Sequence, residues 1–165
     1  MDVVQEKAST AGTADIEIFR EALLAGQPGG HLYTRLLGME VDDTAGLIRR
    51  IEEGLPVEAL EHFRSNMDIS LDEAADLVRI RRRTLSRRKS EGRLQPDESD
   101  RLVRASRVFG RTLELFEGDA AAARQWLAHP QPALGGVVPW AIARTDVGAR
   151  AIEDLIGRLE HGVFS

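Results

Sequence analysis

The segment Arg81-Arg82-Arg83-Thr84-Leu85-Ser86-Arg87-Arg88-Lys89 places six cations in nine positions, with Leu85 as its one apolar anchor. Guanidinium groups stay charged at any accessible pH, pair with phosphate oxygens, and match the O6 and N7 acceptors of guanine with a planar fork. The chemistry on offer is recognition of a polyanion. The wider window from Arg79 to Arg111 holds twelve of the chain's 22 basic residues against four acids, Glu91, Asp97, Glu98 and Asp100, a local balance of +8. The other ten basic residues face 23 acids, so the formal −5 of the chain conceals a basic block inside an acidic protein. Charge concentrated in one segment is an electrostatic footprint for nucleic acid.

Other chemistries find little support. The four histidines, His31, His62, His129 and His161, are scattered, and none stands at a metal-ligand or general-base spacing such as His-Glu-x-x-His. There is no cysteine, hence no thiol nucleophile, no disulfide and no cysteine-based zinc site. No Gly-x-Ser-x-Gly elbow and no Walker loop occur. Gly135-Gly136 lacks the strand, helix start and lysine that make a glycine pair into a phosphate cradle. The expectation is a protein that is not an enzyme, with no cofactor and no metal. The amino terminus has no basic and apolar leader, and no stretch approaches the ~18 apolar residues of a membrane span, which points to a soluble, cytoplasmic chain.

The elements that must position the cations read as helices. Few aromatic or β-branched runs and abundant Leu, Ala, Arg and Glu predict an all-α fold. Ser70-Leu71-Asp72-Glu73 is a capping box, followed by Leu71, Ala74, Ala75 and Val78 at the spacing of one buried helical face. After a break at Arg79-Ile80 the cationic segment forms a second helix, closed by Gly92. A small residue, Ala75, ten positions before an apolar anchor, Leu85, is the arrangement of a helix-turn-helix. In that geometry Leu85 turns inward, and Arg82, Arg83, Ser86, Arg87 and Lys89 reach phosphates or base edges in a major groove. Thr84 and Arg88 complete the candidate DNA-binding set.

The rest of the chain is read in the same way. Residues 1 to about 13 show no apolar period and read as a disordered lead. Ile16, Phe19 and Leu23 predict a short helix to Gly26, then a turn at Gln27-Pro28-Gly29-Gly30 and a further helical turn from Leu32 to Leu37. Thr44 caps a helix with Leu47, Ile48 and Ile51 on its stripe, ending at Gly54. Pro56 opens another at its first position, with Val57, Leu60 and Phe63 inward. Asp97 to about Leu115 is helical, with Leu102, Val103, Ser106, Val108 and Leu113 as inward candidates. A helix from Ala120 to Ala128 precedes a stretch to Pro139-Trp140 that is too rich in Pro and Gly for any regular element. The last helix, roughly Asp146 to Glu160, carries Val147, Ala151, Ile152, Leu155, Ile156 and Leu159 on one stripe.

The motifs Arg83 to Lys89, Gly92-Arg93-Leu94, Glu98-Ser99-Asp100-Arg101-Leu102, Ala123-Arg124-Gln125-Trp126-Leu127, Pro130, Leu134-Gly135-Gly136, Pro139, Asp146-Val147-Gly148-Ala149 and Arg158-Leu159-Glu160-His161-Gly162-Val163 occur in this order. Together they resemble the Xre/MbcA/ParS antitoxins, the partners of RES-domain toxins, over about residues 36 to 164. The resemblance implies a Xre-type helix-turn-helix module, 36–107, followed by a small helical toxin-binding domain, 108–165. Residues 1–35, outside the likeness, would be a tail and short helix or a dimerisation arm. It also implies an NAD-consuming RES-domain toxin as protein partner, operator DNA of the shared operon as the second, a homodimer, and larger complexes with toxin.

The candidate toxin-binding residues are Gly135, Gly136, Pro139 and Trp140 in the glycine-kinked loop, and Glu160, Gly162, Val163 and Phe164 at the tail. The nearest rival is a free-standing helix-turn-helix transcriptional regulator whose C-terminal domain only dimerises. Two positions depart from the family pattern. Arg79 stands where the turn usually has glycine, and Arg81 where serine often caps the recognition helix. A side chain at a left-handed turn position or a missing cap each costs about 1 kcal/mol.

Overall fold

A computed structural model describes residues 14–26 and 30–162. The expectations of a disordered lead over residues 1 to about 13 and of a turn at Gln27-Pro28-Gly29 therefore fall outside the described residues. The all-α expectation holds: no strand occurs among the described residues, whose only ladder pairs are isolated bridges at Pro56 and Arg93 and at Gln131 and Val137. Among the described residues no helix is long and apolar enough to cross a membrane.

Residues 14–24 form helix α1, which buries Ile16 and Phe19. A 3-10 turn, Leu32–Leu37, follows and ends on left-handed Gly38. Helix α2, Thr44–Glu53, is capped by Asp43, whose carboxylate accepts from the Gly46 amide. The expected cap, Thr44, is instead the first helical residue; both side chains can cap, and the carboxylate one residue earlier does so. Ile48 is also displaced from the core, at 50% exposure, because this helix buries only a narrow stripe around Leu47.

Helix α3, Glu58–Met67, starts two residues after Pro56, since Pro56 is drawn into a pairing of residues 55–57 with 92–94. There the Leu94 amide donates to Leu55 O at 2.8 Å and the Val57 amide to Gly92 O at 3.1 Å. Helix α4, Leu71–Leu77, carries the expected capping box: Glu73 Oε2 accepts from the Ser70 amide at 2.8 Å, and Ser70 Oγ from the Glu73 amide at 3.1 Å. The turn then closes with the Ile80 amide on Ala75 O at 2.8 Å. Helix α5, Arg82–Glu91, ends at left-handed Gly92.

The spine is α6, Pro96–Leu115, with Pro96 in its first turn and Leu102, Val103, Ser106, Val108 and Leu113 all buried. Helix α7, Ala120–Ala128, is capped by Asp119. The Pro- and Gly-rich stretch contains two short regular pieces that sequence reasoning denied it. They are a 3-10 turn, Pro132–Leu134, and a single helical turn, α8, Pro139–Ile142. In both, proline stands at the helix start, where its missing N–H costs nothing. Helix α9, Asp146–Glu160, is capped by Thr145. Val147, expected on the buried stripe, is 79% exposed, because α9 turns Gly148, Ala149, Ile152 and Ile156 toward the core.

One core joins all of these. Phe63 of α3 meets Trp140 of α8 edge to face, with centroids 6.2 Å apart, and Arg124 of α7 donates twice to Asn66 O of α3, at 2.9 and 2.6 Å. Helix α1 is built into the same body. Asp15 is buried and accepts from His62 Nδ1 at 2.6 Å and Asn66 Nδ2 at 3.1 Å, while Arg20 Nε donates to Gly118 O at 2.7 Å.

Candidate nucleic-acid and protein interfaces

Ala75 and Leu85 are both buried, as a helix-turn-helix requires, and this fixes which side of α5 meets solvent. Arg82, Arg83, Ser86, Arg87 and Lys89 are exposed and Thr84 is half-buried. Arg79 and Arg81 join the exposed set. Among the described residues, no carboxylate lies within ion-pair distance of Arg79, Arg81, Arg83, Arg87 or Lys89.

The two departures from the family pattern are present as strain. Arg79 adopts φ 58, and Arg81 occupies the N-cap without a side-chain hydrogen bond. The amino end of helix α5 opposes its dipole: Arg81, Arg82 and Arg83 crowd it and its first turn has no acid, whereas Arg88 and Lys89 in the last turn complement the carboxyl end. Cations at a helix amino terminus lose about 0.3–1 kcal/mol each rather than gaining it. The first-turn amides of α5 and the guanidinium groups around them have the chemistry to suit a phosphate.

Arg88 does not share that surface. It is 7% exposed and points into the seam between α5 and α6, where its Nε donates to both oxygens of Glu98, at 3.0 and 2.9 Å, and its Nη1 donates to Glu91 at 3.0 Å. The physical reason is helical periodicity: Arg88 lies three residues beyond the inward Leu85 and so on the same face. Its guanidinium is committed to the fold and leaves the DNA-binding set.

The basic block thus does two jobs. Its α6 arginines are clamps. Arg101 Nε donates to Val78 O at the end of α4 at 2.7 Å. Arg104, Arg107 and Arg111 face α9, pairing with Asp146 at 3.7 Å, Glu153 at 2.6 Å and Glu160 at 2.9 Å. The sequence signal was available: 104, 107 and 111 share one helical face, and 146, 153 and 160 repeat every seven residues along another.

That ladder also reassigns Glu160, a candidate toxin contact, to an intramolecular ion pair with Arg111. Pro139 and Trp140 are both buried: the single turn of α8 lays the Trp140 indole against Phe63, and what remains of its surface lines an open cavity with Ile69, Asp72, Glu73, Asp76 and Leu77. Gly135 and Gly136 are exposed at φ 75 and 81, with nothing within 4 Å of where a Cβ would stand. Gly162 is exposed and left-handed at φ 68, and Val163 and Phe164 lie outside the described residues.

The segment 130–143, in a chain that is 30% charged, contains no charged residue, and Pro132, Ala133, Gly135, Gly136, Val137 and Ala141 on it are exposed. Val137, at 39%, and Val147 are the large apolar side chains this part of the surface presents. Sequence reasoning missed both, and the absence of charge over fourteen residues was the signal that would have found the first. Among the described residues no group of His, Cys, Asp or Glu is placed to hold a metal ion.

A helix-turn-helix with a cationic second helix, continued through one shared spine into a helical unit with an uncharged exposed loop, defines a class of two-part binding proteins. Comparison with known proteins gives the family. Residues 46–107 match the antitoxin Xre-like helix-turn-helix domain, and residues 112–162 match the antitoxin Xre/MbcA/ParS C-terminal toxin-binding domain. An antitoxin Xre of Yersinia enterocolitica (serotype O:8, biotype 1B) is 36% identical over 132 residues, covering 79% of this chain and 89% of that protein. An antitoxin Xre of Photorhabdus laumondii subsp. laumondii is 36% identical over 116 residues, covering 70% and 78%. The chain belongs to the Xre antitoxin family, as the resemblance implied. It is an antitoxin of a toxin-antitoxin system, with a helix-turn-helix domain and a toxin-binding domain.

Proposed function

We propose that this antitoxin neutralises an NAD-consuming RES-domain toxin through its C-terminal part and represses its own operon through α5, acting in the cytoplasm as a homodimer that assembles with toxin. The observation that carries the reading is the separation of two chemically opposite surfaces. One is an exposed cationic face, Arg79, Arg81, Arg82, Arg83, Ser86, Arg87 and Lys89 with Thr84 beside it, in which only Arg82 among the described residues has a carboxylate partner, Asp72, and it suits operator phosphates and base edges. The other is the uncharged loop around Gly135, Gly136 and Val137, which suits a protein cleft. Gly162, Val163 and Phe164 remain in the proposed toxin-binding set, with Val163 and Phe164 outside the described residues, and Pro139, Trp140 and Glu160 are proposed to act by holding this part of the fold. The two units, 36–107 and 108–165, meet inside α6, so a 20-residue helix is common to both.

The test is co-expression with the product of the adjacent reading frame. Rescue of toxin-arrested growth, recovery of cellular NAD and co-purification of the two proteins support the antitoxin reading. Continued arrest, with the chain still binding its own promoter, supports the rival in which the C-terminal part only dimerises. Loss of promoter binding in Arg83→Ala/Arg87→Ala, with co-purification kept, would establish that the two surfaces act separately.

A further inference from the structure

Arg79 occupies the turn between α4 and α5 in a left-handed conformation, φ 58, where a side chain crowds its own backbone. Asp68 and Glu117 take the same conformation at the ends of α3 and α6, so the angle alone assigns nothing. Two things set Arg79 apart. Its side chain is an exposed cation beside α5, with no carboxylate within ion-pair distance among the described residues. The peptide unit that joins it to Val78 is, moreover, held at both ends: the Arg79 amide donates to Asp76 O at 3.0 Å, and the Val78 carbonyl accepts from Arg101 Nε at 2.7 Å.

The second of these bonds comes from outside the two helices. Arg101 lies on α6, its side chain is only 24% exposed, and its Nη1 donates to Asp97 Oδ2 at 3.1 Å, which steadies the guanidinium from another side. To leave the left-handed region Arg79 must change its φ, and because Val78 and Ile80 are both buried, the shortest route is rotation of the peptide plane between 78 and 79. That rotation swings the Val78 carbonyl away from Arg101. The hydrogen bond therefore opposes the motion that would relax the strain. Glycine would take this conformation freely, yet the chain keeps an arginine there. Strained residues persist where their surroundings over-determine them, and they cluster where ligands are bound.

We propose that Arg79 binds a backbone phosphate of the DNA from the turn, and that Arg101 is the positioning residue that holds it there. This rests on the DNA-binding reading above. It gives the strained position a task that glycine could not perform, and it ties that task to a side chain of the spine.

The full-length protein and its R79G, R101M and R79G/R101M variants are titrated, at several salt concentrations, against a duplex from the protein's own promoter region and a random-sequence duplex of equal length, and are unfolded in urea. R79G removes strain and charge together, so its unfolding midpoint stays level or rises. Its affinity falls on both duplexes alike, and the slope of log affinity against log salt shrinks by about 1, the share of one phosphate. A residue that only shaped the fold would not lower affinity while stability held. R101M keeps the aliphatic stem and the Arg79 charge but frees the peptide, and its slope shrinks by the same amount. Adding R101M to R79G shrinks it no further, and Arg101→Lys, which restores a long-stemmed donor, recovers part of the loss. An unchanged slope in R79G overturns the proposal. So does a loss from R101M that is as large in the R79G background as in the unaltered one, or an R101M protein that no longer folds, since either makes Arg101 a structural residue. If the unaltered protein binds DNA and R79G matches it, this inference alone fails. If the unaltered protein binds neither duplex, the DNA-binding reading fails and takes the inference with it.

Discussion

Arg88 and Glu98 form a buried bidentate-acceptor pair between the recognition helix and the spine, with Arg88 Nε 3.0 and 2.9 Å from the two carboxylate oxygens. The same carboxylate accepts the Gln95 amide at 2.9 Å, so Glu98 caps α6 and anchors α5 at once. Breaking a buried pair from one side leaves an uncompensated charge and costs about 3–5 kcal/mol. Arg88→Ala is therefore expected to lower thermal stability strongly. Arg88→Met/Glu98→Leu, which removes both charges, should recover most of it. Unfolding of the three proteins in urea checks both outcomes.

Arg83 and Arg87 stand four residues apart on the exposed face, with no intramolecular partner among the described residues. Replacing both with Ala should leave the unfolding midpoint nearly unchanged, since exposed substitutions away from caps and pairs fall within about 0.5 kcal/mol. Promoter affinity should fall, and the slope of log affinity against log salt should shrink by about 2, one unit for each phosphate no longer neutralised. Titrations at several salt concentrations measure that slope, and an unaltered slope would mean that these two side chains do not reach phosphates.

The contrast between Arg88 and its neighbours marks how far the sequence could be read. Caps and stops were legible because they are local: the Ser70 box, Gly38, Gly54 and Gly92 each act within one turn of chain. The inward residues of α6 followed from spacing alone. What local pattern could not supply was the partner of each charge. Glu98 lies ten residues from Arg88, and Asp146, Glu153 and Glu160 lie more than forty residues from the arginines they hold. Counting charge over a window merged cations facing water with cations facing α9. Trp140 was misread for a related reason: proline and glycine signalled a loop, yet proline also opens short helical turns, and one such turn folds the indole onto Phe63.

His62 and Asp15 predict a pH dependence. His62 is half-buried, and its pKa is raised above the ordinary histidine value. The main cause is its hydrogen bond to Asp15, and the charges of Asp15, Glu58 and Glu61 add to it against the opposing effect of burial. A histidine whose folded pKa exceeds its unfolded value of about 6.5 contributes its full stabilisation below that pH, and loses it as pH rises through the folded value. The stability difference between the unaltered protein and His62→Gln should therefore be larger near about pH 6 than near about pH 9. Chemical unfolding of both at the two pH values tests it. A constant difference would mean that the bond does not depend on the imidazolium, and a difference growing with pH would reverse the sign argued here.

Two glycines of α9 should respond oppositely to alanine. A Cβ at Gly148 would stand 1.8 Å from Ile142 O, so α8 and α9 would have to part, at a cost of about 1–3 kcal/mol. A Cβ at Gly157 meets nothing within 4 Å, and there the helix gains the propensity of alanine, about 1 kcal/mol. Gly148→Ala should melt lower and Gly157→Ala higher than the unaltered chain in the same thermal scan.

Val137 offers the sharpest test of the loop proposed to face the toxin. Its backbone carbonyl is engaged with the Gln131 amide at 3.0 Å, which fixes the loop, while its side chain remains in water. Placing a charge there leaves the loop hydrogen bonds untouched, so Val137→Asp should unfold within about 0.5 kcal/mol of the unaltered protein. A protein interface desolvates its centre, and an unpaired carboxylate driven into it costs several kcal/mol. Co-purification with the adjacent gene's product, and rescue of growth, should therefore fall by at least about a hundredfold in apparent affinity, which corresponds to ~2.7 kcal/mol. Promoter binding by the same variant should be unaffected, because α5 keeps every cation of its exposed face. If Val137→Asp neutralises toxin as well as the unaltered antitoxin, the uncharged loop lies outside the interface.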